Sequence, residues 1–482
     1  MSKKTIQHLL VLLLLIPLLF FNIKDSHDWG DDFAQYIHQS QNLLHNISQD
    51  QTGVVFNEGH FIGPVAYPVG FPLILAPVLK IVGYDLPVLN IYLSMFLLLS
   101  CFIGFLFLRR QFSFQTSLIT TLIIAYNPIL LSLKTEILSD LPYVFFSSLG
   151  LLLITGKLNM WRHISIGVII ALSVHIRSVG YVLLFIYLLS ILFKLIDQKN
   201  MEKEIVKPFV YGLTAFLAVY LFLKFKFPCN TNYPFPIEAG NLWTHLNTQI
   251  TYNLHNLFAF FKKYDGSPFN YLGLLGASAL LCFSIIGAIH SWRSNKKDLI
   301  NYYVLTYILV IICVKFGDAG FRFIIPVLFF LFAYSILGLS KTIDSMMMSK
   351  KWMPFVFGAL IFFSYKIELV ELFRNEKNIT EGPEKPDAKK LFEYINSNLT
   401  ETDIIEFEKP RVIALYSKAR SVAIKPVQTE IEIKNDLQKF KANYILVHYI
   451  LTDNPIRQYT QNPSNDCVSV FKTNDLELFK VN

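Results

Sequence analysis

"HLLVLLLLIPLLFFNI" at residues 8–23 runs straight into "KDSHDWGDDFAQYIHQSQNLL" at residues 24–44. The first piece is apolar, follows Lys3 and Lys4, and lacks a small-residue cleavage site before Asp25. It reads as an uncleaved first membrane helix, not a signal peptide. The second piece is polar and sets two adjacent carboxylates, Asp31 and Asp32, where that helix leaves the membrane.

The rest of the chain repeats the first theme. Of 482 residues, 53% are hydrophobic and only 16% charged, against about 25% charged in soluble domains. Apolar runs of about 18 residues or more recur, each long enough to cross about 30 Å of hydrocarbon as a helix. A polytopic α-helical membrane protein is expected, with about eleven transmembrane helices. The formal charge of +8 is no nucleic-acid footprint, because the lysines and arginines gather in short loops between apolar runs. Of the five cysteines, Cys101, Cys282 and Cys313 sit in apolar runs as packing residues. Cys229 and Cys467 lie in polar segments and are able to pair, but no spacing demands it, and no Cys/His metal cluster is present.

After the first helix, spans are expected at 86–108, 112–133, 141–155, 164–174, 179–196, 208–227, 271–290, 302–316, 321–339 and 352–370. With a cytoplasmic N-terminus, the basic loops at Arg109/Arg110, Lys157/Arg162, 194–207, 293–297 and 341–351 all fall inside. Segment 67–82 is apolar but carries Pro68, Pro72, Pro77 and Lys80. As a further crossing it would put every later basic loop outside, so it is read as a helix in the outer interface. Residues 24–87, 134–140, 228–270 and everything after 371 then face outward from the cytoplasmic (inner) membrane. Residues 1–370 form the membrane domain, with an amphipathic helix at 31–44 in the outer loop 24–87. Residues 376–482 read as a small extracytoplasmic α/β module: "AKKLFEYINSNL" is helical in spacing, "DIIEFE" and "ANYILVHY" are strands, and "CVSVFKTNDLELFKV" is a strand pair.

Along a helix over 31–44, Asp32, Gln35, Tyr36 and Gln39 share one face, and Phe33, Ile37 and Leu44 another. That places a helix along the membrane surface with its polar face to the bundle. The plainer alternative makes Asp31 and Asp32 first-turn acids that suit the helix dipole, with Asp31 or Asp28 as cap. Glu136 and Asp140, four apart at the outer end of a span, would share a helix face near hydrocarbon, where carboxylates mark sites. Alternatively, Asp140 caps the span that begins at Leu141. His175 and Arg177 sit at an outer end in "HIRS". Arg322, in "GDAGFRFIIP" beside Asp318, pairs with an anion or snorkels to headgroups. Glu58 and His60 are weaker loop candidates.

Four of these pieces, "DDFAQY", "YPVGFP", "TEILSDLPYVFF" and "FRFIIP", resemble the type C membrane glycosyltransferases. Among them, the bacterial dolichyl-phosphate-mannose–protein mannosyltransferase-like and aminoarabinose-transferase-like enzymes are the nearest in pattern. The resemblance covers roughly residues 1–370. It departs at Val69-Gly70, where the family continues with a second proline, and at Phe323, where the family often has tyrosine. It implies a sugar donor carried on a polyprenyl phosphate and an acceptor hydroxyl on lipid, glycan or protein. Asp32, or Asp31, would be the general base of an inverting displacement, with Tyr36 and Tyr67 beside the substrates. Arg322, Arg177 and His175 would face the leaving phosphate, and Glu136 and Asp140 would hold sugar hydroxyls or a divalent cation. Two carboxylates without a third ligand specify no metal, and no cofactor is otherwise implied. A multi-pass transporter and a non-catalytic envelope-assembly protein are the alternatives; nearly charge-free spans and polar residues gathered on one side speak against transport.

Overall fold

The computed structural model describes residues 2–57, 66–157, 159–197, 202–228, 242–259, 270–313, 320–345, 358–359, 368–374, 379, 381–425 and 428–481. Cys229, Glu58, His60, Asp318 and most of the expected span 352–370 lie outside them. Among the described residues the membrane domain carries the helices α1 (Lys3–Leu15), α2 (Asp32–His45), α3 (Gly70–Val82), α4 (Leu86–Leu108), α5 (Phe114–Ala125), α6 (Pro128–Leu133), α7 (Asp140–Ile154), α8 (Met160–Ile176), α9 (Tyr181–Asp197), α10 (Glu202–Lys226), α11 (Leu242–Ala259), α12 (Asn270–Ser294), α13 (Leu299–Cys313) and α14 (Ile325–Ser345). Five described helices are long and apolar enough to cross a membrane, at Leu86–Leu108, Ser178–Asp197, Val206–Lys226, Leu274–Ser294 and Ile325–Ile343. Five shorter apolar helices accompany them, α3 among them. At 13 residues, α3 falls short of the roughly 20 a crossing needs.

The structure corrects several expected boundaries. The span 112–133 is broken into α5 and α6 at Tyr126–Asn127. Pro128 has no N–H to give, and the Asn127 side chain accepts from the Ile129 N–H at 3.0 Å to start a new helix. The span 321–339 opens instead with a tight 3-10 turn, Gly320–Phe323, and only then enters α14. Glu136 and Asp140 do not share a helix: Glu136 lies in the connection after α6, and Asp140 is the first residue of α7. Segment 228–270, expected to face outward, contains α11, which no apolar pattern announced.

Helices pack at points where side chains vanish. A Cβ on Gly287 of α12 would lie 1.9 Å from the Tyr334 carbonyl oxygen, and one on Gly338 of α14 would lie 2.1 Å from that of Phe283. Without a hydrophobic drive between helices in lipid, such close backbone approach carries the packing. Gly338→Val is therefore expected to separate α12 from α14 and lower the thermal midpoint in detergent, whereas Ser340→Val, away from that contact, should not. Gly70 does the same at the site end, where an added Cβ would meet the His175 backbone at 2.5 Å.

The C-terminal module carries a six-stranded sheet in the order β1-β3-β2-β4-β6-β5. Its strands are β1 (Val54–Val55), β2 (Ile404–Glu406), β3 (Arg420–Val422), β4 (Tyr444–His448), β5 (Cys467–Lys472) and β6 (Leu476–Val481). The first four in that order run parallel, and β4–β6 and β6–β5 are antiparallel. β1 comes from the outer loop, Val54 pairing with Ser421, so the module is not confined to residues 376–482. Alternation along β2 sends Ile405 into the core shared with the membrane domain, and Ile404 into a second core with Val422, Ile445 and Val447.

Candidate active site

α2 forms where its pattern placed it, from Asp32 to His45, and ends on Asn46 in the left-handed conformation (φ 56°). Phe33 and Ile37 are buried, and so are Gln35, Tyr36 and Gln39. The bundle packs on one side and the module helix Pro410–Tyr416 on the other. Asp31 stands at the N-cap position but caps nothing in its own helix. Its Oδ1 accepts instead from the backbone N–H of Arg411 at 3.0 Å. Asp28 turns to the Gly30 N–H at 2.9 Å. Neither acid caps α2, while Asp32 does lie in its first turn, as the plainer alternative had it.

Gln39 locks the "YPVG" element to α2 from both sides. Its amide donates to the Tyr67 carbonyl at 3.0 Å, and its carbonyl accepts from the Tyr67 N–H at 2.9 Å. Tyr67 then stacks on Tyr36, with ring centroids 4.7 Å apart. The Tyr67 hydroxyl donates to Asp32 Oδ1 at 2.5 Å, and the Tyr36 hydroxyl donates to Ser139 Oγ at 3.0 Å, one residue before Asp140.

Around this frame, charges alternate. Arg411 Nε is 3.4 Å from Asp31 Oδ2, and its Nη1 is 3.4 Å from Asp32 Oδ1. Arg322 Nη1 is 3.4 Å from Asp32 Oδ2 and 3.9 Å from Asp140 Oδ2. Arg177 donates to Asp140 Oδ1, and its guanidinium lies 4.7 Å over the Phe323 ring. The order is Asp31–Arg411–Asp32–Arg322–Asp140–Arg177. Within it, the Asp32 side chain is 34% exposed, while those of Asp31 and Asp140 are 12% and 5% exposed. Asp32 is thus the most exposed of the three carboxylates.

The two neighbouring acids titrate differently. Burial pushes the Asp31 carboxyl up to about 6, despite Arg411. Burial alone would raise Asp32 too, but Arg411, Arg322 and the Tyr67 hydroxyl outweigh it and hold Asp32 below the ordinary carboxylate value. Glu136 is pushed up to about 7, chiefly by burial and then by Asp28.

The structure thus gathers Asp31, Asp32, Tyr36, Tyr67, Asp140, Arg177 and Arg322. His175 is set apart: its Nε2 faces the Tyr220 carbonyl oxygen of α10 at 3.2 Å. Both Asp140 oxygens face arginines, a setting that repels a divalent cation. Among the described residues, no three His, Cys, Asp or Glu side chains gather in a metal-holding group.

Sequence reading missed Arg411 and Glu384. Glu384 Oε2 accepts from Ser26 Oγ and the His27 N–H, both at 2.9 Å, while Oε1 accepts from the Tyr84 hydroxyl at 2.6 Å and from that of Tyr416. All four donate to the carboxylate; Glu384→Gln would remove the charge that strengthens these bonds and leave an acceptor oxygen on one edge only, so that three hydroxyls must reorient around the His27 N–H, which cannot accept. A loss of about 1–3 kcal/mol is expected, read as a lower unfolding midpoint. For Arg411 the one sequence signal is a charge set in the apolar run "PRVIAL".

The chain is a polytopic α-helical membrane protein of the type C glycosyltransferase fold with a small C-terminal α/β module. Its solved structural neighbours are of that kind. ArnT from Cupriavidus metallidurans bound to undecaprenyl phosphate matches with a TM-score of 0.59 at 10% identity, over 99% of this chain and 98% of that one. The archaeal oligosaccharyltransferase AglB from Archaeoglobus fulgidus, in complex with an inhibitory peptide and a dolichol-phosphate, matches at 0.58 and 12% identity, over 93% and 70%. The arabinofuranosyltransferase AftD from Mycobacteria matches at 0.55 and 9%, over the whole of this chain and 42% of that one. No protein-family model matches the chain, and no curated protein matches it by sequence. At these identities the likeness is one of fold.

Proposed function

We propose that the protein transfers a sugar from a polyprenyl-phosphate-linked donor to an acceptor hydroxyl at the outer face of the cytoplasmic membrane, with Asp32 as general base. The observation that carries the reading is one partly exposed, ionised carboxylate held between two arginines where the outer loop meets the bundle. Two neighbours of the same fold were solved with undecaprenyl phosphate and dolichol-phosphate, which supports a lipid-phosphate donor. ArnT matches over nearly the full length of both chains, which supports a transferase with this membrane domain and module together.

In this mechanism Asp32 takes the proton of the acceptor hydroxyl as its oxygen attacks the anomeric carbon. The bond from that carbon to the donor phosphate breaks, with inversion, and the polyprenyl phosphate leaves with the electron pair. Arg322, whose side chain is 24% exposed, is the cation best placed to meet the developing phosphate charge. Arg177 holds Asp140, and Asp140 in turn faces Arg322. Tyr67 fixes the Asp32 rotamer, and Tyr36 backs Tyr67. The test is transfer from radiolabelled polyprenyl-phosphate sugars in membranes holding the wild type or Asp32→Asn at matched expression. Label moved by the wild type and lost in the variant supports the reading. Equal transfer by both removes Asp32 as base, and no transfer from any donor favours an assembly or transport role.

A further inference from the structure

Arg411 comes from the C-terminal module, yet it reaches Asp31, Asp32 and Tyr67 of the loop that follows the first helix. Its side chain is 2% exposed. It follows Pro410 at the start of the helix Pro410–Tyr416, where a backbone N–H has no acceptor within the helix. That N–H goes to Asp31, at 3.0 Å. The guanidinium lies 4.8 Å over the Tyr67 ring and donates through Nη1 to the Tyr67 hydroxyl at 2.8 Å. That hydroxyl in turn donates to Asp32. One side chain therefore spans both acids and the tyrosine that orients the second of them.

The outer loop returns the contact. β1 completes the module's sheet, and the Ser421 N–H donates to the Gly53 carbonyl at 3.1 Å. Ser421 Oγ donates to the Pro410 carbonyl at 2.5 Å, which ties that strand to the residue before Arg411. Glu384 seals the other edge through Ser26, His27 and Tyr84. A Cβ on Gly382 would lie 1.8 Å from the His27 carbonyl oxygen, so the two segments meet without room to spare.

We propose that Arg411 is a positioning residue for the transfer, and that the C-terminal module completes the active site: Asp32 and Tyr67 keep their reactive arrangement only while Arg411 is inserted between the acids. The consequence for rate rests on the transferase reading; the structural half does not. Without the guanidinium, two adjacent carboxylates face each other with no cation between them, and Tyr67 loses the donor that aims its proton at Asp32. Arg322 remains on the other carboxylate oxygen of Asp32, Oδ2, and faces Asp140 beyond it.

The experiment uses the full chain in membranes or detergent, with Arg411→Gln, Arg411→Lys and, as a control for module charge, the exposed Arg420→Gln. Two readouts are taken: the pH–rate profile and backbone hydrogen exchange in α2 and β1. Arg411→Gln is expected to lower kcat by about 10²-fold through misplacement of the base, with donor KM little changed. Its acid limb should move to higher pH, because Arg411 is the strongest of the influences lowering Asp32. Exchange in α2 and β1 should rise by about tenfold or more as the docked segments open. Arg411→Lys keeps the charge without the planar fork, so the limb should return while the rate recovers only in part. It also serves if the glutamine variant fails to fold. Arg420→Gln should leave both readouts at wild-type values. Wild-type rate, limb and exchange in Arg411→Gln would overturn the proposal, as would a rate loss with an unmoved limb and unchanged exchange. If the wild type itself moves no label, the transferase reading fails, and exchange alone decides whether Arg411 holds the loop.

Discussion

Asp32→Asn is expected to slow transfer by about 10²–10⁴-fold, the usual worth of a general base, while Asp31→Asn should act mainly through the seating of Arg411. The pH–rate profile separates the candidates more sharply than the size of the loss. A carboxylate base works when ionised, so activity is full above its pKa and is lost as pH falls through it. Asp32 is held below the ordinary carboxylate value because Arg411, Arg322 and Tyr67 together outweigh its burial. With Asp32 as base, the midpoint of the acid limb should therefore lie below the ordinary carboxylate value of 3.8. An acid limb near 6 would identify Asp31, whose buried carboxyl is pushed up to about that value. A limb near 7 would identify Glu136. A low pKa also makes for a weak base, which fits a reaction whose leaving group is a stabilised phosphate: little proton transfer is needed until the bond to phosphate is already breaking.

Arg177→Met should be the most destabilising change at the site, by about 3–5 kcal/mol, the cost of breaking a buried ion pair from one side. Asp140 is 5% exposed and has Arg177 as its direct donor. Methionine keeps apolar contact with Phe323 but leaves the carboxylate without that donor. Arg322 Nη1, 3.9 Å from Asp140 Oδ2, still offsets part of the charge, which sets the loss toward the lower end. Asp140→Asn in the Arg177→Met background should recover much of it, since a neutral amide needs no counter-charge. Thermal unfolding of the four proteins in detergent closes the cycle. Equal loss with and without Asp140→Asn would mean that the pair contributes packing and not charge compensation.

These expectations draw on residues that differed in how far the sequence disclosed them. The membrane class, the order of the helices, α2, the short α3 and the strands of the tail all follow from local pattern. Apolar length, proline position and period-2 alternation act within about 20 residues and need no partner. Asp31, Asp32, Tyr36 and Tyr67 were legible for the same reason, since each sits beside a recognisable element. What the structure changed is largely a matter of distance along the chain. The break at Pro128 was local and readable, but Glu136 and Asp140 could be assigned to separate elements only once the turn between them was seen.

Arg411 is the clearest case of what sequence alone does not carry. Its contacts with Asp31 and Asp32 join residues 380 and 379 positions apart, and β1 reaches across a similar gap to enter the module's sheet. From the sequence, the chain was two domains with acids in one of them. The tertiary structure made one site of them, because charges buried between surfaces must be neutralised by whatever the facing surface supplies. Here the facing surface is the module, and its arginine sets both the geometry and the ionisation of the acids that the sequence had already placed at the membrane's edge.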